Sequence, residues 1–288
     1  MTNPLHVLLC APETDSAYSP DDIQTLKNSL SSALNGASVG FCAIDSKGQS
    51  LLNALKTVDA GDAEKMIVAP VTPFAGDMQK RLIPSVLAQT SNEIELARDA
   101  GVDPAMLRAA RVRVEAVLAA NGDPIVAQDS LLMIVGQGSI DTDSNGNLMK
   151  MARMIWEGLG FAWAEVAFVS GAFPSIEQSL ERSVQLGFKS IVVLPYVIVR
   201  DGAIDALPVR IADALGSTET NVIIAEPLGA EAHVVQTLAV RVREALEGQA
   251  MSVMNCQLCT YREQVLALES HDHHDHDHAH GHAHHHDD

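Results

Sequence analysis

Short apolar runs alternate with helix-like patterns along most of this 288-residue chain, and this alternation constrains the fold more than any other feature. The runs are rich in Val, Ile and Leu, which is typical of strands buried on both faces of a sheet. Strands that alternate with helices form parallel βαβ units, so the sequence predicts an α/β fold. The predicted strands are His6–Ala11, Val39–Ile44, Lys65–Ala69, Ser130–Val135, Ala164–Val169, Ser190–Leu194 and Asn221–Ala225. The predicted helices are Asp21–Leu34, Pro104–Ala120, Asn147–Gly158, Ser175–Leu186, Ile204–Leu215 and Ala230–Leu246.

The two halves of this pattern resemble each other at a shift of 124 residues. Lys65-Met-Ile-Val then lies on Lys189-Ser-Ile-Val, Asp77 on Asp201 and Pro84 on Pro208. Agreement in corresponding elements at one shift indicates duplication, although two unrelated α/β domains could share a similar rhythm. We therefore expect two similar lobes at residues 1–124 and 125–248, each a parallel sheet flanked by helices. A cleft between them would collect the loops at the carboxyl ends of the strands, where ligands bind.

The remaining segment, 249–288, differs in composition from both lobes. Ten of the 12 histidines lie between His271 and His286, in a stretch too polar to build a core. We expect a flexible tail, and its mixture of His and Asp differs from the unbroken run of an expression tag. Cys256 and Cys259 precede it with the spacing of a metal or redox pair, whereas Cys10 and Cys42 lie in apolar runs and are predicted to be buried thiols.

The balance of charge narrows the choice of partners. The formal net charge is −18, and such a surface repels nucleic acid and anionic membranes. No apolar run reaches the ~18 residues that a membrane span needs, and the first residues lack the pattern of a signal peptide. The sequence therefore predicts a cytoplasmic protein with neither nucleic acid nor membrane as partner.

Four segments in the second half carry a family resemblance. They are Val135-Gly-Gln-Gly-Ser-Ile-Asp, Met151-Ala-Arg-Met-Ile-Trp-Glu-Gly-Leu-Gly-Phe, Val192-Val-Leu-Pro-Tyr and Glu226-Pro-Leu-Gly, followed by Met254-Asn-Cys-Gln-Leu-Cys and the His-rich tail. This series resembles the long-form sirohydrochlorin cobaltochelatases, class II chelatases of cobalamin synthesis. The resemblance implies two α/β lobes, a tetrapyrrole in the cleft, and ATP-independent insertion of Co2+ into sirohydrochlorin.

The resemblance also implies histidines after the first and third strands, and this chain has none there. The first strand is followed by Cys10-Ala-Pro-Glu-Thr, and the third by Phe74-Ala-Gly-Asp. Glu13 and Asp77 are thus the candidate catalytic bases, since carboxylates accept protons and divalent metals. By the 124-residue shift Glu13 corresponds to Gln137, whereas alignment with the family could place Pro12 there. Both acids could instead be ordinary loop residues.

Other side chains are candidates for holding the substrate and the metal. Sirohydrochlorin carries eight carboxylates, so the candidate substrate-binding residues are Lys80, Arg81, Arg200, Gln137 and Ser139, although the charged ones could be plain surface residues. Cys256 and Cys259 could hold a [4Fe–4S] cluster if a homodimer supplied four cysteines, or zinc or cobalt with tail histidines, or could stay unliganded. The tail could bind divalent metal and deliver it to the cleft. Its candidate ligands are His271, His273, His274, His276, His278, His280, His282, His284, His285 and His286.

These observations leave more than one function open. A cobaltochelatase-like enzyme is the first hypothesis. The alternatives are a metal or tetrapyrrole carrier without catalysis, on a degenerate chelatase scaffold, and a chelatase for nickel or iron.

Overall fold

The computed structural model describes residues 5–59, 65–90, 94–122 and 125–249. It contains two four-stranded sheets, and all their strand pairs are parallel. The strands are β1 (Leu5–Pro12), β2 (Ser38–Ile44), β3 (Lys65–Pro70), β4 (Ile94–Leu96), β5 (Leu131–Gly136), β6 (Trp163–Phe168), β7 (Ser190–Pro195) and β8 (Asn221–Ile224). The helices are α1 (Pro20–Ala33), α2 (Gln49–Asp59), α3 (Ile83–Leu87), α4 (Pro104–Ala120), α5 (Thr142–Leu159), α6 (Ile176–Gln185), α7 (Gly202–Asp205), α8 (Leu207–Leu215) and α9 (Ala232–Leu246). A π-helical turn covers Met78–Leu82, and a 3-10 turn covers Ala127–Asp129.

The order of the strands confirms the predicted fold class of two similar α/β lobes. One sheet has the order β2-β1-β3-β4 and the other β6-β5-β7-β8, which is the same order in each half of the chain. The strand registers correspond at a shift of 125 residues rather than 124: Val7 pairs with Val39 and Ile67, and Leu132 with Ala164 and Val192. The prolines of α3 and α8, Pro84 and Pro208, keep the shift of 124. The loop after β3 is therefore one residue longer than the loop after β7.

The predicted strands and helices all appear, and three further elements in the first half were not predicted. These are α2, the segment formed by the π-helical turn and α3, and the three-residue β4. Strand β4 is too short for its apolar periodicity to stand out. Pro84 lies in the first turn of α3, directly after the π-helical turn, so it does not interrupt a regular α-helix.

Each sheet buries both of its faces, as its apolar strands require. Along β1, Val7 and Leu9 face a core shared by the two lobes, whereas Leu8 and Cys10 face α2 and α3. In the second lobe, Leu132 and Ile134 of β5 belong to the same shared core. Cys10 and Cys42 are buried free thiols, as predicted.

The last helix of each half packs across the boundary between the lobes. Helix α9 contacts α1, β3 and β4 of the first lobe, and α4 contacts α5 and β7 of the second. The two helices also pack against each other. This exchange joins the lobes into one compact unit, and Val253–Asp288 lie outside the described residues. In the part of the chain that the structure describes, no helix is long and apolar enough to cross a membrane.

Candidate functional site

A cavity of about 280 Å³ lies between the lobes, at the carboxyl ends of their strands. Its wall comes from the ends of β1 and β5 and from the segments that follow β3 and β7. This is where the duplication predicts a cleft, since parallel strands bring their carboxyl ends to one edge of a sheet. The lining of this cavity includes Ala11, Pro12, Val71–Phe74, Gly76–Gln79, Gly136–Ser139 and Tyr196–Val199.

Most of this wall is apolar and aromatic. The rings of Phe74 and Tyr196, one from each lobe, stack with centroids 5.8 Å apart and an angle of 3° between their planes. Tyr196 is 1% exposed, and its hydroxyl has no hydrogen-bond partner among the described residues. Burial raises the pKa of this phenol, so it is neutral at physiological pH. Leu148 and Phe168 extend the apolar surface in the second lobe.

Asp77 lines the cavity, as expected of a catalytic candidate, and Glu13 does not. Asp77 immediately precedes the π-helical turn, its side chain is 45% exposed, and Oδ1 lies 3.2 Å from Nε of Arg81. Glu13 is exposed, and its backbone N–H donates to the carbonyl of Ile44 at 2.8 Å. The 125-residue strand shift places Pro12, not Glu13, in correspondence with Gln137. The structure therefore favours the alternative alignment at this position.

The predicted cationic residues all pair with carboxylates. Nζ of Lys80 lies 2.8 Å from Oδ2 of Asp141 and 3.1 Å from Oδ2 of Asp143. Burial alone would lower the pKa of Lys80, but the two aspartates outweigh it and raise that pKa. Arg200 donates from Nε and Nη2 to both carboxylate oxygens of Asp22, at 3.0 and 3.1 Å. A substrate carboxylate would have to replace these partners.

Gln137 and Ser139 both line the cavity in the loop after β5. The Nε2 group of Gln137 donates to Asp201 at 2.8 Å, and the N–H of Ser139 donates to Asn145 at 3.0 Å. Between them Gly138 has a φ of +87°, and a Cβ there would lie 1.8 Å from the carbonyl oxygen of Ser170. Only glycine fits, because a side chain would collide with backbone as well as strain the turn.

Two residues that the sequence did not single out hold the loop bearing Asp77. Buried Gln79 accepts a hydrogen bond from the N–H of Gly76 at 2.9 Å and donates to the hydroxyl of Thr72. Asp99, from the segment after β4, accepts a hydrogen bond from the N–H of Ala75 at 2.8 Å. Neither residue belongs to a motif; Gln79 is itself part of the cavity wall, whereas Asp99 lies outside it.

Metal-binding side chains are scarce in the lobes. Among the described residues, no group of three or more His, Cys, Asp or Glu side chains is placed to hold a metal ion. Nδ1 of His6 lies 3.0 Å from the hydroxyl of Ser38, and Nδ1 of His233 lies 3.0 Å from Oε1 of Glu231; neither histidine lines the cavity. The predicted ligands Cys256, Cys259 and the tail histidines lie outside the described residues.

The paired parallel sheets and the cleft between them resemble solved chelatase structures in fold. The structure resembles SirB from Bacillus subtilis with Fe3+, with a TM-score of 0.64 and 17% identity, over 87% of this chain and 99% of that one. It also resembles the sirohydrochlorin chelatase SirB of Bacillus subtilis subspecies spizizenii in complex with cobalt, with a TM-score of 0.62 and 16% identity, at the same coverage of both chains. At these identities the likeness concerns the fold.

Sequence comparison adds a partial match to a family model and one similar relative. The CbiX family model matches residues 131–245. The sirohydrochlorin cobaltochelatase of Priestia megaterium is 27% identical over 241 residues, which cover 81% of this chain and 77% of that protein. These matches make the chain similar to the CbiX-type chelatases in their long, two-lobed form.

Proposed function

We propose that this protein inserts Co2+ into sirohydrochlorin without ATP, in the tetrapyrrole chemistry that leads to cobalamin. The observation that carries the proposal is the apolar cleft between the lobes, with Asp77 as the one carboxylate among its described lining residues. The cobaltochelatase of Priestia megaterium and the cobalt complex of a SirB protein support the choice of reaction and metal.

The reaction needs a group that accepts protons, because the ring nitrogens must lose two N–H protons before they bind the metal. A carboxylate can accept each proton in turn and pass it to water, and it can also contact the incoming cation through oxygen. Asp77 is suited to both tasks because it lines the cavity and remains partly exposed. The aromatic wall of Phe74 and Tyr196 offers apolar surface to a macrocycle.

The predicted contacts with substrate carboxylates are part of this proposal. Lys80, Arg81 and Arg200 would bind the carboxylate arms after exchanging their present partners, and Gln137 and Ser139 would offer hydrogen bonds from the loop after β5. Charge-assisted hydrogen bonds of this kind give orientation as well as affinity.

The test compares Asp77→Asn with Glu13→Gln, since each removes one carboxylate after a strand and only Asp77 lines the cavity. Metal insertion is followed by the absorbance change of sirohydrochlorin on addition of Co2+, with the uncatalysed rate subtracted. We expect Asp77→Asn to slow insertion about 10²-fold or more, the size of a lost general base, and Glu13→Gln to change it less than about twofold. An unchanged rate in Asp77→Asn would remove this residue from the mechanism.

A second candidate function is a tetrapyrrole or metal carrier without catalysis. It is favoured by the absence of imidazole from the described cavity wall, since imidazole serves cobalt better than carboxylate does. The same assay separates the two functions. Tight binding of sirohydrochlorin without acceleration of insertion would establish the carrier and exclude the enzyme, and Ni2+ and Fe2+ in place of Co2+ test the remaining metals.

The tail completes the proposal as a source of metal. Neutral imidazoles on a tether would raise the metal concentration near the cleft. Removal of 270–288 should then slow insertion at limiting Co2+ and leave it unchanged at saturating Co2+. A [4Fe–4S] cluster or zinc at Cys256 and Cys259, a homodimer that shares them, and a cytoplasmic location are further predictions from the sequence.

A further inference from the structure

Among the ion pairs between the lobes, those of Lys80 and Arg200 adjoin the cavity and lie in similar, though not equivalent, places in the two halves. Lys80 follows the third strand of the first lobe and pairs with Asp141 and Asp143 at the start of α5. Arg200 follows the third strand of the second lobe and pairs with Asp22 in the first turn of α1. In each case the cation after the third strand of one lobe binds the acidic start of the first helix in the other. We call these two contacts the reciprocal ion pairs.

The reciprocal ion pairs adjoin the cavity and are accompanied by backbone contacts. Lys80 follows Gln79, and Arg200 follows Val199, both of which line the cavity. Beside the second pair, the N–H of Ser19 donates to the carbonyl of Arg200 at 2.8 Å. The lobes are thus joined at the edge of the cleft by charge and by at least one hydrogen bond between main chains.

The cavity is small for a macrocycle. A volume of about 280 Å³ is at the lower limit of the roughly 300–1,000 Å³ typical of sites for drug-sized ligands. A macrocycle with eight carboxylate arms is larger than such ligands, so separation of the lobes at this edge would enlarge the space that it can occupy. The side chains of Lys80 and Arg200 are 15% and 36% exposed, so an incoming carboxylate can reach them.

We propose that the reciprocal ion pairs form a carboxylate-exchange latch: the arms of a polycarboxylate tetrapyrrole displace Asp22, Asp141 and Asp143 from Arg200 and Lys80, and this exchange opens the cleft. The inference rests on the proposed tetrapyrrole site and adds how its ligand is selected. A ligand with several carboxylates can replace both pairs, whereas one with few carboxylates leaves at least one pair closed. The protein selects its ligand by the number of carboxylates as well as by the ring.

The carboxylate-exchange latch predicts opposite changes in ligand affinity when its acids and when its cations are removed. Removal of the acids, as in Asp22→Asn or the double variant Asp141→Asn with Asp143→Asn, removes the internal competitors for Arg200 or Lys80, so affinity for the ligand rises. The asparagine at position 141 keeps the oxygen that caps α5. Removal of a cation, as in Lys80→Gln or Arg200→Gln, also opens the cleft but removes the ligand's partner, so affinity falls. If the ion pairs were only structural, with no exchange of carboxylates, the acid variants and the cation variants would both lose affinity or both keep it.

The experiment measures dissociation constants by fluorescence for sirohydrochlorin, an octacarboxylate porphyrin and a dicarboxylate porphyrin, on the full chain. For the octacarboxylate ligands we expect each acid variant to bind about two- to fivefold more tightly and each cation variant to bind more weakly by a similar factor. The dicarboxylate porphyrin should bind more weakly than the other two. The matched controls are Glu177→Gln and Arg210→Gln, which make the same charge changes in an ion pair within the second lobe and should leave all three affinities unchanged.

Hydrogen exchange at the amide of Ser19 provides a measurement that needs no ligand. This amide should exchange several times faster in Asp22→Asn and Arg200→Gln than in the wild type or the controls, because the main-chain bond to Arg200 opens with the latch. The latch would be overturned if the protein binds tetrapyrrole but the acid variants show no increase in affinity, or if the controls show an equal increase. Neither result would contradict the proposed function. If the wild type binds none of the three tetrapyrroles, the proposed function fails, and the exchange inference fails with it.

Discussion

The exchange of helices between the lobes leads to a sharp prediction about Arg241 of α9. Its side chain is 4% exposed, and it donates to Oδ2 of Asp103 at 2.6 Å, to Oε1 of Glu244 at 3.1 Å and to the carbonyls of Asp99 and Ala100 at 3.1 and 2.9 Å. Except for Glu244, these partners lie in the first lobe, just before α4. Arg241 thus binds α9 to the loop whose residue Asp99 supports the cavity wall.

We expect Arg241→Met to lower the free energy of unfolding by about 3 kcal/mol. Methionine retains the apolar stem but leaves two carbonyls and a carboxylate without their donor, and breaking a buried ion pair from one side costs about 3–5 kcal/mol. The lower end applies because Asp103 and Glu244 are 27% and 24% exposed and can be rehydrated. For a chain of this size, a melting temperature falls by roughly 2–4 °C per kcal/mol, so the shift should be about 6–12 °C.

The assay is calorimetry and urea unfolding of the full chain, with Arg111→Met as the matched control. Arg111 lies on α4 and is 61% exposed, and its pair with Glu115 is a surface contact along one helix. Its replacement should cost less than about 1 kcal/mol. If Arg241→Met costs no more than the control, the buried cluster does not hold the two lobes together, and the reasoning from the exchanged helices is wrong.

Two further predictions concern the cavity wall and its support. Gly138→Ala should destabilise the protein by about 3 kcal/mol or more, since its Cβ would meet the Ser170 carbonyl at 1.8 Å and its φ is +87°. Gly146→Ala, at an open position in α5, should instead stabilise it by about 0.5–1 kcal/mol, and similar melting curves for the two variants would contradict the geometry. Burial raises the pKa of Asp99 above its ordinary 3.8, although the hydrogen bond from Ala75 and the nearby arginines oppose this shift. The folded protein therefore loses stability as the pH rises from 3.8 through the raised pKa, because a buried carboxyl must then ionise. Asp99→Asn keeps an acceptor for Ala75 and should lessen that fall between pH 4 and 7, and parallel urea midpoints for wild type and variant would count against it.

The sequence by itself determined the class of fold and seven of the eight strands in the described residues. Continuous apolar runs such as those of β1, β5 and β7 are typical of strands in a parallel sheet that is covered on both faces. The positions of these strands therefore follow from the positions of the runs. The repeat between the halves likewise predicted two similar lobes with a cleft at the strand ends. Short β4 and the turn around Pro84 were missed because their local signals are weak or usually mark the end of a helix.

Only the tertiary structure decided which side chains meet at the cleft. Lys80 and Arg200 look like free surface cations in the sequence, because their partners lie 61 and 178 residues away along the chain and belong to the other lobe. The strands of the two lobes correspond at a shift of 125 residues, so Pro12 corresponds to Gln137 and Glu13 does not. This distinction depends on the register of the sheets. The exchange of α4 and α9 is also invisible locally, since an amphipathic helix specifies that it must cover a sheet but not which sheet it covers.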